Sequence, residues 1–330
     1  MSILHQFAKL AAEPSGHEFT VEAFPGVTGA LLGADRSGRP VLFVESDRRG
    51  YQPTLRTTHI SLQLHQRFRL SPGRTEPITA PFHALRCESV EAADIRTFLL
   101  LVDAFVRECL GDSPTADSLS AFFRSLVRLF SVGHSSDVAA ERQGLWGELS
   151  LMSVVRGFEF WVPFWHSEPT RRFDFSSGHH RVEVKTAVGS ARVHHFSHAQ
   201  LFPTNQEDIL IASLLLHEDD SGLSLRDLID QAHSTLSKPA DLLKLERAIR
   251  RAVMESRDEP GPAYDLADAR RSLAWYRVAD APHFQVPEPP GVSHTRYRVD
   301  LATAPAVEIE AVAAWLDQWT RTVPPAPLRS

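Results

Sequence analysis

The sequence predicts a mixed α+β protein, with a strand-rich N-terminal part followed by an α/β core. Three observations carry this expectation. Residues 17–88 alternate apolar and polar side chains with period two between turn signals, the pattern of antiparallel strands. Three stretches between Val90 and Gly157 then take on helical periodicity. From about 136 to 235 the patterns run helix, three strands, helix, strand, helix.

Taken in order, "GALLGADRSGRPVLFVES" predicts a hairpin turning at Arg36-Ser37-Gly38, and "HISLQLHQRFRL" a strand with "APFHALRCES" as its neighbour. "VEAADIRTFLLLVDAFVRECLG" predicts a helix capped at Gly111, and "SLSAFFRSLVRLF" a second one. "SSDVAAERQGLWGELSLMSVVRG" opens on a Ser135-Ser136-Asp137 start signal and stops at Gly157. "FEFWVPFW" reads as a strand, and "RRFDFSSGHHRVEVKTAV" as two strands about a glycine turn. A short helix in "FSHAQLF" and a strand in "DILIASLLLHE" follow, then helices in "LSLRDLIDQAH" and "PADLLKLERAIRRAVM". The arginines of the latter are expected on a solvated helix face. "DEPGPA" and "VPEPPGV" read as loops, and a strand in "HTRYRVDL" and a helix in "AVEIEAVAAWLDQW" come last. The expected divisions are a β-rich domain at 1–90, a helical connector at 91–135, a core at 136–250 and a C-terminal extension at 251–330.

Bulk composition narrows the function. The net charge of −6 excludes a non-specific polycation for nucleic acid, so any such surface has to be a local patch. Two cysteines, Cys87 and Cys109, make no disulfide framework and suit a reducing compartment. No signal peptide and no membrane-spanning run is legible, so a cytoplasmic protein is expected. "GVTGALLG" lacks the strand-before, helix-after context of a dinucleotide site. Of 35 basic residues only Lys9, Lys185, Lys238 and Lys244 are lysines. A lysine is therefore unusual wherever it falls.

Lys185 falls in the glycine-turn hairpin. With Gly178-His179 as a two-residue loop, Ser177 pairs with His180, Phe175 with Val182, Asp174 with Glu183, and Arg172 with Lys185. Alternation then puts Phe173, Phe175, Val182 and Val184 on one face and Arg172, Asp174, Glu183 and Lys185 on the other. Opposed like charges are destabilising. Asp174 facing Glu183 calls for a cation between them, and Mg²⁺ takes carboxylate oxygens together with water and phosphate oxygens. Lys185 alongside could orient a water or neutralise charge developing on phosphate, a task for which the planar guanidinium is poorly shaped. A solvated ion-pair cluster is the alternative reading of the same residues.

Upstream, Glu148 in "GLWGELSLM" lies three residues after Leu145 and four before Met152, on the apolar stripe of its helix. A carboxylate there is buried or reaches a neighbouring arginine or water. Gly144 and Gly147 weaken the helix but allow it to approach a sheet closely.

His166, His179, His180, His194, His195 and His198 crowd six of the sixteen histidines into one region. No cysteine lies nearby to complete a zinc set. With Arg171, Arg172, Arg181 and Arg192 they are expected to line a phosphate-binding rim that positions a nucleic acid without reading it; single histidines satisfying loop hydrogen bonds remain the alternative.

A helix glutamate, a strand aspartate and E-x-K on the next strand, followed by helix and strand, resemble the PD-(D/E)XK or restriction-endonuclease-like nucleases. "GLWGEL", "RRFDF", "VEVKTA" and "HHFSHAQLF" resemble most a group of bacterial PD-(D/E)XK-motif proteins of unassigned function, often encoded among restriction–modification and phage-defence genes. The resemblance covers about 136–235. It departs from the superfamily name in placing phenylalanine, in "FDF", where the name has proline.

The resemblance implies a restriction-endonuclease-like core (helix, three strands, helix, strand). It implies Asp174 and Glu183 as ligands of Mg²⁺ (or Mn²⁺), Lys185 as the catalytic lysine, and Glu148 as the acid supporting a second metal or a ligating water. It implies Gln200 as a polar residue near the substrate, beside Arg172, Arg181 and His180 from the rim. The expected activity is metal-dependent cleavage of DNA in restriction or anti-phage defence, with other defence subunits or a second copy as partners and no membrane. The alternative is a non-cleaving DNA-binding or scaffold subunit.

Overall fold

The computed structural model describes residues 2–12, 19–46, 53–72, 76–109, 113–130, 138–166, 172–202, 206–253 and 261–319. Gly111, the 135–137 start signal and Arg171 lie outside the described residues. The chain divides into two units, 1–132 with 237–246, and 133–236 with 247–330.

The first unit holds α1 (Ile3–Ala12), β1 (Phe19–Ala23), β2 (Ala30–Asp35), β3 (Pro40–Glu45), β4 (Leu55–Arg56), β5 (Ile60–Ser71), β6 (Ile78–Cys87), α2 (Ala92–Glu108) and α3 (Ala116–Phe130). Its strands form one sheet in the order β1-β2-β3-β6-β5-β4. β1 also pairs in parallel with β5 at Phe19↔Leu70 and Thr20↔Ser71, so the sheet curls back on itself and covers two edges. The expected β2–β3 hairpin forms. The Asp35 carboxylate accepts the N–H groups of Ser37 and Arg39 at 2.9 and 3.0 Å, and Gly38 takes the left-handed conformation at φ +73°. Inside, Phe43 meets Phe19, Phe68 and Phe82 edge to face, with centroids 5.1–6.1 Å apart.

The second unit holds α4 (Val138–Val154), α5 (Phe158–Trp161), β7 (Phe175–Ser177), β8 (His180–Val188), β9 (Val193–Ser197), α6 (His198–Leu201), β10 (Asp208–Leu216), β11 (Glu218–Ser224) and α7 (Leu225–Thr235). It continues with α8 (Pro239–Val253), part of which belongs to the first unit, then β12 (Ala263–Tyr264), α9 (Leu266–Ser272), β13 (Ala274–Arg277), β14 (Arg296–Asp300) and α10 (Ile309–Leu316). The result is a mixed α+β protein, as expected.

Its main sheet runs β13-β10-β8-β7. β8 and β10 are parallel in unbroken register from His180↔Asp208 to Val188↔Leu216. β10 is apolar on two faces, as a strand covered on both sides must be, whereas β8 keeps Val182 and Val184 on one face and sets Arg181, Glu183 and Lys185 on the other. β9 does not join this sheet; it pairs antiparallel with β14, about a hundred positions later.

"FEFWVPFW" is not the expected strand. Gly157, at φ +86°, ends the preceding turn and lets the chain re-enter a helix at Phe158–Trp161, followed by a 3₁₀ turn at Val162–Phe164 that includes Pro163. Its aromatic rings are buried by tertiary packing, with Trp161 4.8 Å from Phe175 and 5.3 Å from Trp319. Only Trp165 makes a bridge, to Phe175. The arginine-rich α8 is not a solvated helix either: Leu245, Ala248, Ile249, Arg250 and Ala252 are buried on it. No helix among the described residues is long and apolar enough to cross a membrane.

Candidate active site

β7 and β8 meet in the register expected from the glycine turn: Ser177↔His180, Ser176↔Arg181 and Phe175↔Val182. Gly178 supplies the positive φ, +56°, that a two-residue loop needs at its first position. The ladder then stops, earlier than expected. Asp174 is not a cross-strand partner of Glu183. Instead its Oδ2 accepts the N–H of Val184 at 2.7 Å, so the carboxylate occupies the place the next ladder bond would have taken. Phe173 leaves the expected apolar face and joins Phe196, Leu201, Ile209 and Ile211 in the core. The strand opens there, and the aspartate fills the opening.

Glu183 sits mid-strand on β8 at 4% exposure. Its Oε1 is held twice, by Lys185 Nζ at 2.6 Å and by the Gln200 side-chain amide at 2.6 Å. Its Oε2 is buried without a hydrogen-bond partner. Gln200 is set for this task by α6. Its Oε1 accepts the Ser197 N–H at 3.0 Å, and its amide also donates to the Arg172 carbonyl at 3.1 Å. Lys185 stays one-fifth exposed, with its ammonium 5.0 Å from the Phe196 ring centre.

Glu148 arrives from α4. That helix is buried all round from Leu145 to Met152, rather than along one stripe, because sheet and helices enclose it. Its approach to β8 depends on Gly147: a Cβ there would lie 2.3 Å from Thr186 Cγ2. Gly144 has open space instead and plays no such part. Trp165 Nε1 donates to Glu148 Oε2 at 2.5 Å. The structure therefore brings Glu148, Asp174, Glu183, Lys185 and Gln200 together.

These acids are charged at a cost. Burial first, then Asp174, raises the Glu183 carboxyl to about 8 against the pull of Lys185 and Gln200. Burial and then Asp174 push Glu148 well above the carboxylate range. Burial also raises Asp174, opposed by Lys185, the Val184 N–H and Arg251. Burial works to lower Lys185, but Glu183, Asp174 and Glu148 outweigh it and hold the ammonium above the ordinary lysine range. The cluster is acid-rich with one internal amine. It lacks positive charge.

A divalent cation fits that deficit. Among the described residues no three of His, Cys, Asp and Glu already converge into a metal site. The fit thus rests on two carboxylates, Asp174 and the orphaned Oε2 of Glu183, which matches the sparse protein coordination of Mg²⁺. Glu148, with Oε2 engaged by Trp165, enters as an electrostatic neighbour.

The expected phosphate rim is different from the reading of its residues. His180 is 1% exposed, edge-on to Trp315 at 4.9 Å, and burial lowers its basicity. Arg172 and Arg181 both pair with Glu207, an acid outside the residues expected to form the rim. Arg192 donates to the Ser213 carbonyl and hydroxyl at 2.8 and 2.9 Å and to the Ser272 carbonyl. His194 is buried against the Ser213 hydroxyl at 2.8 Å; burial, then Lys185 and Arg192, push it down to about 4, so it is neutral. Sequence reasoning also missed Trp165 and Arg251. An indole at the end of a misread strand and an arginine on an apparently solvated helix carry no local signal that the one bonds Glu148 and the other lowers its carboxyl electrostatically.

A family model described as "Putative PD-(D/E)XK family member, (DUF4420)" matches residues 26–302, most of the chain. No curated protein and no solved structure matches it.

Proposed function

The chain belongs to this DUF4420 family of PD-(D/E)XK type, and we propose that it is a divalent-metal-dependent phosphodiesterase that cleaves DNA. One observation carries the reading: the half-buried Asp174 and the buried Glu183 lie close enough to repel one another, with Lys185 Nζ 2.6 Å from Glu183. Mg²⁺ or Mn²⁺, when bound, supplies Lewis-acid polarisation of phosphate and a lowered pKa for water. Asp174 and Glu183 would hold it. Gln200 fixes the Glu183 carboxylate so that Oε2 remains free for the cation. Lys185, charged at neutral pH and partly open to solvent, neutralises the developing phosphorane charge or steadies the attacking water. Glu148, raised by burial, stands as a proton-holding neighbour for that water. The β-rich first unit would recognise a target, a modification or a partner, in a restriction or anti-phage setting.

The test is cleavage of plasmid, linear duplex and single-stranded DNA by the purified chain with Mg²⁺ or Mn²⁺, against EDTA. Wild type is expected to cut, and Asp174→Ala and Lys185→Ala are expected not to. DNA surviving wild type under every metal and partner condition would reduce the chain to a non-cleaving DNA-binding subunit.

A further inference from the structure

Glu148 reaches the acid cluster from α4 through a flexible side chain, and one hydrogen bond fixes the end of it. Trp165 Nε1 donates to Oε2 at 2.5 Å, with Glu148 and Trp165 only 8% and 1% exposed, so water does not compete for the bond. An indole N–H donates and cannot accept. Oε2 is therefore the accepting oxygen whether or not the carboxyl is ionised. A proton on Glu148 is placed on Oε1, because a hydroxyl oxygen is the poorer acceptor. Oε1 itself makes no hydrogen bond among the described residues.

The indole is held still by the segment that carries it. The Trp165 N–H closes the preceding 3₁₀ turn on the Val162 carbonyl at 3.2 Å, and the backbone at Trp165 is extended, with φ −74° and ψ 136°. Trp165 then bridges antiparallel to Phe175, and the His166 N–H donates to the Asp174 carbonyl at 2.8 Å. Upstream, Trp161 packs on Phe175 and donates to the Val155 carbonyl at 2.6 Å, while Phe164 packs 5.2 Å from Trp319. The dipeptide Trp165-His166 thus holds two acids from separate elements, Glu148 by a side chain and Asp174 by the main chain. The Asp174 carboxylate is tied in turn to the Val184 N–H of β8.

From these contacts we infer that Trp165 is a positioning residue of the candidate site. Its indole N–H fixes Glu148 with Oε1 left to a water or an ion, at a spacing from Asp174 that the same dipeptide sets. The inference rests on the phosphodiesterase reading and adds to it a residue that acts through another. Partners of this outer kind change metal affinity or activity about 10–100-fold when lost.

The test uses the full chain and two changes at one position. Trp165→Phe keeps an aromatic ring and removes the donor. 3-Benzothienylalanine at 165, introduced by amber suppression, keeps the bicyclic shape and removes only the N–H, so it serves should the phenylalanine variant fold poorly. Single-turnover cleavage of labelled duplex DNA with Mn²⁺ is measured beside calorimetric titration with Mn²⁺ alone. Both variants are expected to cut about 10–100-fold more slowly, with the DNA concentration for half-maximal rate unchanged. In a Glu148→Met background, adding Trp165→Phe is expected to slow the residual cleavage no further, since the group it positions is gone. A purely structural tryptophan would slow both backgrounds alike.

A benzothienylalanine protein that cuts at the wild-type rate overturns the inference and leaves the nuclease reading standing. So does an equal loss from Trp165→Phe with and without Glu148. If wild type cuts nothing with any metal, the nuclease reading falls and Mn²⁺ affinity judges the tryptophan. Binding about tenfold weaker in the benzothienylalanine protein then upholds its positioning role at a metal site. Equal affinity, or a wild type that binds no Mn²⁺, overturns it.

Discussion

Lys185 Nζ lies 2.6 Å from Oε1 of Glu183, two residues back on the same strand, and leaves Oε2 of that carboxylate buried and unpartnered. Side chains at i and i+2 share a strand face, so this pairing follows from β8 holding unbroken register with β10 through both residues. The amine reduces the charge of the acid cluster without filling it.

Removing the amine is therefore expected to cost activity more than fold. Lys185→Met should lower the DNA cleavage rate by about 10²–10³, the usual effect of losing one group that stabilises transition-state charge. Single-turnover cleavage with Mg²⁺ reads it, and circular dichroism checks that the variant folds.

The metal-free protein should lose stability with rising pH. The folded Glu183 carboxyl titrates at about 8 and the unfolded one near 4.5, so the folded state binds the extra proton between those values. Stability tied to this group is complete below the unfolded value and is lost as pH rises through the folded one. Thermal melts in EDTA between pH 5 and about 9 should show the decline. Glu183→Gln should flatten it, and Mg²⁺ should offset it by binding the ionised pair.

Gln200 holds Glu183 through its side-chain amide at 2.6 Å. Gln200→Ala should weaken metal affinity by about 10–100-fold with a smaller change in cleavage at saturating metal. Isothermal titration with Mn²⁺ separates the two. An unaltered metal affinity would mean that the amide bond to Glu183 has no part in metal binding.

Two glycines of α4 should respond oppositely to alanine. At Gly147 the added methyl meets Thr186, and overpacking should cost a net of about 1–2 kcal/mol despite alanine's better helix propensity. At Gly144, with open space, alanine should gain about 0.5–1 kcal/mol. Urea denaturation of the two variants measures both, and equal signs would show that the close approach of α4 to β8 is unimportant.

What could be read from the sequence was local. Alternation and a glycine turn predicted the β7–β8 register, and helix spacing placed Glu148 in the interior. The scarcity of lysine singled out Lys185, and the family resemblance pointed to Gln200. The register and the placing of Glu148 depend on neighbours within a turn or a hairpin, where backbone geometry alone sets which side chains share a face. Tertiary structure decided the rest. It ended the ladder at Phe175 so that Asp174 could take the Val184 N–H. It buried the aromatics of 158–165 in helical turns, paired β9 with a strand a hundred residues away, and brought Glu207 to Arg172 and Arg181. Those outcomes depend on which distant surfaces are covered, and periodicity records only that a face is apolar, never what will lie against it.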